Sequence, residues 1–407
     1  MSKSLVAAIL LFASVTCLAE PEMPSMAGKF TVPKDLKPTV VPLIIEGDQI
    51  LLEVEAKGPA GKRKLLVNLN MGHGFSGWMA HIYQEIGFVR HSAVSFSIGG
   101  VPIEVAPGNS AMLDDAAYPA RQIGGAFFFT HKVEGSIQCG VLQNFDITLD
   151  YSQKTLTLAA PGTLPHDGAA VPIRTNEATG VSTVDFIVNG QRYPMVIDVG
   201  GAYTWIRPST AEIWLKAHPE WARAKGAVGA ANYWMMDLPA EENGTVMRLP
   251  EVQIGPMKVA NVGIFGSSQI ENIYDEWQKD NTPEPVIAWL GANVLKHYRI
   301  TIDYKAHMSW WKKIDDIDPH ELDQVGLTFI YEKGVYSVGS IATKDGKPTA
   351  TGVEKSDKLT AIDDKPVAGW SRDQIFAALH GKPGDIHRVT IERSGKSLTV
   401  PLPVSAF

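Results

Sequence analysis

The chain has 407 residues, of which 45% are hydrophobic and 20% charged, and its formal net charge is −7. A chain of this length is expected to form about two or three domains, and the composition is that of an ordinary globular protein. No basic block stands out, so we do not expect a nucleic-acid partner. No apolar run reaches the ~18 residues that a membrane-spanning helix needs, so we expect no transmembrane segment.

Residues 1–19 have the pattern of a secretory signal peptide. A basic residue precedes an apolar run from Leu5 to Val15, and small residues end the segment at Ala19. This pattern predicts cleavage after Ala19 and a periplasmic or secreted protein. Lipid modification of Cys17 is a less favoured alternative, because the three residues before it fit a lipobox poorly.

Residues 20–38 are rich in Pro, Met and Lys and are interpreted as a loose leader or linker. Cys139 is the one cysteine that would remain after cleavage, so no internal disulfide is predicted. We interpret its thiol as a buried apolar group.

Two similar loops follow apolar runs in the middle of the chain. The first begins with Asn70 and continues through Met71 to Gly72, and the second begins with Asp198 and continues to Gly200 and Gly201. Short apolar runs bounded by turn residues predict buried strands, and the glycines permit tight turns. The sequence therefore predicts a carboxylate and an amide at equivalent strand ends.

A longer string is also repeated. Val141–Tyr151 returns as Val294–Tyr304 with more than half of its positions identical, and a glycine-bearing hairpin precedes both copies. Three anchors in the same order indicate an internal duplication. The sequence therefore predicts two homologous lobes, near residues 39–160 and 161–316.

The second lobe is longer than the first, and the extra length lies roughly at residues 207–250. This insertion could cover a groove, or it could be a helical hairpin packed on the lobe, and both hypotheses are kept. Its aromatic and methionine residues are Trp214, Trp221, Tyr233, Trp234, Met235 and Met236.

Residues 320–407 predict a third, small domain of strands with one helix. Ser371 and Gln374 have the spacing of a capping box at the start of that helix. Two strands, at 388–393 and 397–402, flank a Ser-Gly turn.

The two lobes resemble the retropepsin-like group of aspartic proteases found in bacterial exported proteins. The mark of this family is a D-[ST]-G-[AS] loop after an apolar strand, completed by a later apolar-apolar-Gly segment. Trp289-Leu290-Gly291 fits that later segment, whereas its counterpart Ser136-Ile137-Gln138 has lost the glycine. The resemblance implies a mainly β fold with two retropepsin-like β-barrel lobes, bilobal like pepsin.

The same resemblance assigns roles to the loop residues. It implies that Asp198 and Asn70 occupy the catalytic positions, with Asn70 as a degenerate partner, and that Gly72, Gly200 and Gly201 contact a bound peptide. Peptide hydrolysis by this family needs two carboxylates that share a proton, and an amide cannot ionise.

Further departures from the family pattern weaken the case for catalysis. The family has Ser or Thr after each aspartate, where this chain has Met71 and Val199, and His73 adds bulk in the first loop. Asp198 alone could activate water only weakly, because no coupled acid would return the proton.

Residues 320–407 resemble a PDZ domain. Gly326, Leu327, Thr328 and Phe329 lie where the carboxylate-binding loop and the first groove strand should be. The resemblance implies a groove that binds an extended peptide as an added strand, with the terminal carboxylate on backbone N–H groups. The predicted partner is therefore a peptide or a protein C-terminus.

The favoured function is an exported aspartic-protease-like protein with an incomplete dyad that binds peptide or protein in the inter-lobe cleft and the PDZ groove. The alternative is an active endopeptidase with an asymmetric site and substrates selected by the PDZ domain. A third hypothesis is a structural envelope protein that uses neither groove.

No metal and no cofactor is predicted. His131 and His297 stand alone in the sequence, without the spacing of zinc ligands. Phosphate-binding and serine-hydrolase motifs do not occur in a suitable setting. Nothing in the sequence predicts an oligomeric state.

Overall fold

A computed structural model gives the fold, which is mainly β, as the sequence predicts. No described helix is long and apolar enough to cross a membrane. The predicted signal peptide, His73 and the insertion residues 233–236 lie outside the described part of the chain. The described residues are 30–72, 77–89, 93–107, 111–113, 131–227, 244–266 and 271–407.

The first part of the chain is built mainly of antiparallel strands. Its elements are β1 Phe30–Thr31, β2 Thr39–Glu46, β3 Gln49–Gly58, β4 Gly61–Asn70, β5 Gly77–Met79, α1 Ala80–Glu85, β6 Val94–Ile98, β7 Val101–Val105, β8 Ala111–Leu113, β9 Gly135–Gln138, α2 Cys139–Leu142, β10 Asp146–Asp150 and β11 Thr155–Ala159. Strand β7 alternates buried and exposed residues, as a strand with one face on the core should. Gly99 and Gly100 both have positive φ and close the predicted hairpin with the backbone of a type I′ turn.

The second part contains a similar set of strands. Its elements are β12 Ala169–Pro172, β13 Arg174–Thr175, β14 Ser182–Val188, β15 Gln191–Ile197, β16 Trp205–Ile206, α3 Pro208–Ala217, β17 Arg223–Lys225, β18 Thr245–Ile254, β19 Met257–Gly266, α4 Glu271–Asn281, β20 Ala288–Leu290, α5 Ala292–Leu295, β21 Tyr298–Asp303 and β22 Met308–Lys313. Helix α3 begins with a proline, which has no N–H to leave unpaired in the first turn.

Both parts contain the same strand arrangement around the two loops of interest. Strand β4 pairs in parallel with β9, β9 pairs antiparallel with β5, and β5 pairs in parallel with β8. Strands β15, β20, β16 and β19 repeat this order and these directions. Each loop therefore leaves its strand beside a parallel neighbour that fixes its direction.

The two copies of the repeated string meet each other directly. Strands β10 and β21 pair antiparallel, with Thr148 opposite Thr301, its counterpart in the repeat. Their buried hydroxyl oxygens lie 2.8 Å apart. Contact between equivalent residues is what an approximate two-fold axis between similar units produces. The strand order β12-β22-β21-β10-β11-β2 joins both parts in one sheet.

The last part of the chain has a hydrophobic core of its own. Its elements are β23 Leu327–Glu332, β24 Val335–Ile341, β25 Thr343–Lys344, β26 Lys347–Pro348, β27 Lys358–Ile362, β28 Lys365–Pro366, α6 Arg372–Leu379, β29 Ile386–Arg393 and β30 Lys396–Pro403. The predicted capping box is present, because the Ser371 hydroxyl accepts from the Gln374 N–H and the Gln374 side chain accepts from the Ser371 N–H. We refer to residues 325–407 as the C-terminal domain.

The C-terminal domain contacts both preceding parts. One contact continues a sheet, because β25 pairs with β17 of the second part. Others include hydrogen bonds from Gly47 N to Asp373 Oδ1 (2.8 Å) and from Arg248 Nε to the Phe407 carbonyl (3.3 Å), and the packing of Phe407 in the hydrophobic core of the preceding parts.

We expect Thr301→Val to destabilise the protein by about 1–3 kcal/mol, because it leaves the buried Thr148 hydroxyl without its partner. The double variant Thr148→Val/Thr301→Val should recover much of this loss, since both polar groups are then removed. Urea unfolding followed by tryptophan fluorescence measures both effects.

Thr155→Val, a half-buried position in the same sheet, serves as the control and should change stability by less than about 0.5 kcal/mol. A double variant that is as unstable as the sum of the two single variants would contradict the role given to the threonine pair.

Candidate functional site

The two predicted loops lie face to face. Asn70 is the last residue of β4, and Asp198 follows the last residue of β15. The Asp198 N–H donates to the Leu290 carbonyl of the neighbouring strand at 3.0 Å. This bond continues the parallel pairing by one residue and fixes where the carboxyl group leaves the strand.

One backbone N–H connects the two side chains. Gly72 N donates to Asn70 Oδ1 and to Asp198 Oδ1, each at 2.9 Å. Gly200 N donates to the same Asp198 oxygen at 2.8 Å. The amide oxygen of one loop and the carboxylate oxygen of the other therefore lie within hydrogen-bonding distance of a single nitrogen.

Only glycine fits at the two positions where the loops meet. A Cβ added at Gly72 would lie 2.6 Å from Asp198 Oδ2, and one added at Gly200 would lie 2.5 Å from the Asn70 amide carbon. Separations this short do not occur for real Cβ atoms. The relation is reciprocal, since each glycine packs against the polar side chain of the opposite loop.

The electrostatics of the site come from burial and from backbone dipoles. Burial raises the pKa of Asp198 to about 6, against the opposing effect of the N–H groups of Gly200, Gly72, Met71 and Gly201. A carboxyl with this pKa changes its charge close to neutral pH. A neutral amide at Asn70 adds no charge that would split the titration as a second carboxylate does.

Apolar side chains follow Asn70 and Asp198 in the two loops. Met71 and Val199 are each 1% exposed and belong to the core. The Cys139 thiol is buried, as predicted, and donates to the Met71 carbonyl at 2.8 Å. Neither loop therefore has a Ser or Thr side chain at this position that could hydrogen-bond to the other loop.

Sequence reasoning missed Gln49, which supports one of the loops, and it selected Trp289 only as part of the apolar-apolar-Gly segment. Gln49 Nε2 donates to the Gly200 carbonyl at 2.8 Å in a buried setting. The Trp289 indole N–H approaches the Gly72 carbonyl at 3.5 Å, and its ring stacks on Trp205 with centroids 4.0 Å apart. Gln49 follows a Gly-Asp turn in an ordinary strand pattern, so no local signal identifies it.

A second support lies behind the Asp198 loop. The Thr204 hydroxyl accepts from Gly291 N at 3.0 Å and donates to the Asn293 side chain at 2.8 Å. A Cβ at Gly291 would lie 2.4 Å from the Tyr203 backbone. The glycine in the predicted apolar-apolar-Gly segment therefore allows the segment to pass close beneath the loop.

The predicted residues fall into two groups. The first group lies where the two loops meet, which we call the seam, and consists of Asn70, Gly72, Asp198 and Gly200. Gly201 lies beside them, and its carbonyl accepts from Ala292 N at 2.8 Å. Residues 326–329 belong to the C-terminal domain instead.

The predicted peptide-binding residues of that domain are buried within it. Leu327 and Phe329 pack in the domain core, and the Thr328 hydroxyl lies 2.6 Å from the Ser340 hydroxyl. Gly326 has a φ of 74°, and a Cβ there would lie 2.1 Å from the Thr349 hydroxyl. Only the backbone of this segment could therefore meet a peptide.

The described part of the 207–250 insertion packs on the second part of the chain. Trp214, on α3, is buried, and its indole N–H donates to the Tyr193 hydroxyl at 3.1 Å. Trp221 is buried beside it, with ring centroids 6.5 Å apart. These two tryptophans are core residues, but the described part of the insertion forms one helix, Pro208–Ala217, followed by the strand Arg223–Lys225, and not a helical hairpin.

Within the described residues, no group of His, Cys, Asp or Glu side chains is arranged to bind a metal ion. No family model and no curated protein matches the chain. Among solved structures, the crystal structure of Basic 7S globulin from soybean is similar at 10% identity and a TM-score of 0.40, covering 68% of this chain and 95% of the globulin chain. A likeness this distant establishes neither a family nor an activity.

The raised pKa of Asp198 predicts a specific dependence of stability on pH. The folded state, with a pKa of about 6, binds more protons than the unfolded chain, whose aspartate pKa is about 4, so this group's contribution decreases as the pH rises between these values. Asp198→Asn should therefore gain roughly 3 kcal/mol relative to the wild type between about pH 4 and about pH 8.

Urea unfolding of both proteins at both pH values tests this expectation. Asp345→Asn, an exposed turn residue, is the matched control and should follow the wild type at each pH. If the stability difference between Asp198→Asn and wild type were the same at both pH values, the assignment of a raised pKa to this carboxyl would be wrong.

Proposed function

We propose that the protein is an exported, periplasmic or secreted, aspartic-protease-like protein with an incomplete dyad. In this proposal it binds extended peptide in the cleft between two retropepsin-like lobes and in the groove of a C-terminal PDZ domain. The observation that carries it is the single N–H of Gly72, which donates to both Asn70 and Asp198. Replacement of one carboxylate of a catalytic dyad by an amide would leave such a pair of side chains.

The chemistry of the pair favours binding over hydrolysis. In a working dyad the ionised carboxylate takes a proton from water while the protonated one hydrogen-bonds the substrate carbonyl. The Asn70 amide can donate to a carbonyl, but it cannot return a proton to the leaving group. A bound peptide would therefore be oriented at the seam without being cleaved.

The C-terminal domain supports the second part of the proposal through an unpaired edge of its sheet. Within the described chain, β23 pairs with β24 and with no other strand. A strand with an unpaired edge can accept an extended peptide as an additional strand, and backbone hydrogen bonds then supply the affinity. The burial of Leu327 and Phe329 fits this mode, because it needs the backbone and not these side chains.

One observation favours the alternative function, an active endopeptidase with an asymmetric site. The pKa of Asp198 is raised by burial to about 6, which is suited to a general base near neutral pH. In that case Asp198 would activate water and Asn70 would polarise the substrate carbonyl. The two functions differ in a simple assay.

We expect the wild type to leave unfolded casein and a peptide library uncleaved from about pH 4 to about pH 7, because it lacks a second carboxylate. The variant Asn70→Asp/Met71→Thr restores the acid and the adjacent hydroxyl, and it should gain cleavage at acidic pH. Mass spectrometry of the products measures both results.

Adding Asp198→Ala to the restored variant is the control, and it should remove the gained activity. Cleavage by the wild type that is lost in Asp198→Ala would instead establish the endopeptidase alternative. Folding of every variant is checked by thermal unfolding, so that inactivity is not mistaken for misfolding.

We also expect the full-length mature protein to bind peptides through their C-terminal carboxylate. On an array of peptides, those with a free C-terminus should bind at least about tenfold more tightly than the same sequences with an amidated end, because the amide lacks the charge that backbone N–H groups bind.

Fluorescence anisotropy of the strongest peptide pair gives the two dissociation constants. Equal binding of the free and amidated forms would exclude a PDZ-type groove. Binding of no peptide at all would favour the third hypothesis, a structural envelope protein.

A further inference from the structure

A row of polar side chains crosses the contact between the first and second parts of the chain. It lies on one face of strands β10 and β21, because directly opposite residues of an antiparallel pair share a face, with Cβ atoms about 4.5–5.5 Å apart. The register gives three facing pairs, which are Asp146 with Asp303, Thr148 with Thr301 and Asp150 with Arg299. The threonine pair lies at the centre, and a charged pair lies at each end.

The two ends of the row are equivalent in the internal repeat, but they differ in charge. Asp150 corresponds to Asp303 in the repeated string, and Asp146 corresponds to Arg299. At one end an acid faces a base, with Asp150 Oδ2 3.8 Å from Arg299 Nε. At the other end two acids face each other, because an aspartate occupies the position equivalent to the arginine. This end therefore lacks one positive charge.

Both facing acids are removed from solvent. Asp146 is 1% exposed and Asp303 is 5% exposed. Burial disfavours the charged form of a carboxyl group, and a second carboxylate close by disfavours it further, so such a pair tends to retain one proton. The location of the pair therefore favours a shared proton over two negative charges.

One oxygen of Asp146 has no hydrogen-bond partner among the described residues. Its Oδ2 accepts from Thr163 N at 2.9 Å and from Leu164 N at 3.3 Å, in the loop that follows β11. Its Oδ1 is buried and unpaired. Strands β11 and β21 flank β10 on opposite sides, so the side of Asp146 away from that loop is the side of Asp303. A proton on Oδ1 would give this atom the Asp303 carboxylate as its acceptor.

The residues opposite the two acids on the outer strands are uncharged. Ala159 of β11 lies opposite Asp146, and Met308 of β22 lies opposite Asp303. The turn after β21 supplies a backbone N–H to Asp303 Oδ1 at 2.8 Å, and its ionisable side chains, at positions 305 and 307, are exposed. These elements therefore place no buried cation against the pair.

The other cations of this face are paired with different acids. Lys312 Nζ lies 2.8 Å from Asp167 Oδ2, and Arg299 Nη1 lies 3.8 Å from the same oxygen. Arg299 also faces Asp150. Two acids already share these two cations, so neither cation supplies the charge that is missing at the other end of the row.

The electrostatics of Asp146 agree with this arrangement. Burial raises the pKa of its carboxyl, and the charge of Asp303 acts in the same direction. The backbone N–H groups of the loop that follows β11 oppose both effects, but the pKa remains above its ordinary value. The folded protein therefore holds a proton here more firmly than the unfolded chain does.

We propose that Asp146 and Asp303 share one proton in the folded protein, with the Asp146 Oδ1–H donating to the Asp303 carboxylate, and that this proton makes the contact between the two parts sensitive to pH. As the pH rises, the proton passes to solvent and the two carboxylates repel each other across the β10–β21 ladder. The contact is therefore strongest at acidic pH. No residue of the seam takes part, so the inference is independent of the proposed function.

The variant Asp146→Asn tests the proposal, because it keeps an oxygen for the loop N–H groups and presents an uncharged donor to Asp303. The unfolded chain has an aspartate pKa of about 4, so the wild type should lose stability relative to the variant as the pH rises above about 4. The ratio of the unfolding constants, wild type over variant, should increase at least about tenfold from about pH 4 to about pH 8. Urea unfolding measures both constants, and the contribution of Asp198 cancels in the ratio.

The internal repeat supplies a matched control. Asp150→Asn changes the equivalent acid, which faces Arg299, and it should give no such increase. Asp303→Asn should behave like Asp146→Asn, and it decides the question if Asp146→Asn does not fold. Carbon-13 NMR of aspartate-labelled wild type gives a direct reading, in which Asp146 Cγ should titrate above about pH 4 and at a lower pH in Asp303→Asn.

The proposal is overturned if the ratio is the same at both pH values for Asp146→Asn and for Asp303→Asn, or if Asp146 Cγ titrates at or below about pH 4. It is also overturned if calcium chloride at about 10 mM, above the concentration that weak calcium sites need, stabilises the wild type at about pH 8 but not Asp146→Asn. A bound cation, and not a proton, would then neutralise the pair.

Discussion

The antiparallel pairing of β10 with β21 is the constraint on which the rest of the structure depends. Because Thr148 faces Thr301, its own counterpart in the repeated string, the two parts of the chain are related by an approximate two-fold axis at this point. Such an axis brings equivalent loops together, and the loops that begin at Asn70 and Asp198 do meet. The reciprocal close packing at Gly72 and Gly200 follows from the same symmetry, since each loop presents its glycine to the side chain of the other.

The two loops have equivalent backbones, but they carry different side chains, an amide at Asn70 and a carboxyl at Asp198. Two carboxylates at this separation would repel each other, and one would have to retain a proton. With an amide in one position, the pKa of Asp198 is set by burial against the backbone N–H groups. Met71 and Val199 are buried beside these two residues and have no hydroxyl that could hydrogen-bond to the opposite loop. These features support the proposed peptide-binding role of the seam over peptide hydrolysis.

Local sequence signals predicted the elements that depend on short-range chemistry. The hairpin at Gly99–Gly100 and the Ser371 capping box both rest on contacts within a few residues, and the structure contains them. The contacts that support the site join distant parts of the chain, so the pattern that selects Trp289-Leu290-Gly291 does not show which loop the tryptophan contacts, and no pattern selects Gln49. Gln49 reaches a carbonyl 151 residues away, and Trp289 lies over a loop 217 residues away. The residues at 326–329 illustrate the same limit, since a motif gives their position but not the burial of their side chains.

The β2–β3 turn connects the seam to the C-terminal domain through three consecutive residues. Gln49 donates to the Gly200 carbonyl beside Asp198, Asp48 pairs with Lys296, and Gly47 donates its N–H to Asp373 on α6. Gly47 and Asp48 both have positive φ, as the two central residues of a type I′ turn require, so this turn has little freedom to move one contact without the others. A displacement of α6 therefore acts on the turn that supports the Gly200 carbonyl. By thermodynamic reciprocity, if a ligand at α6 changed the affinity of the seam for peptide, peptide at the seam would change the affinity for that ligand by the same coupling free energy.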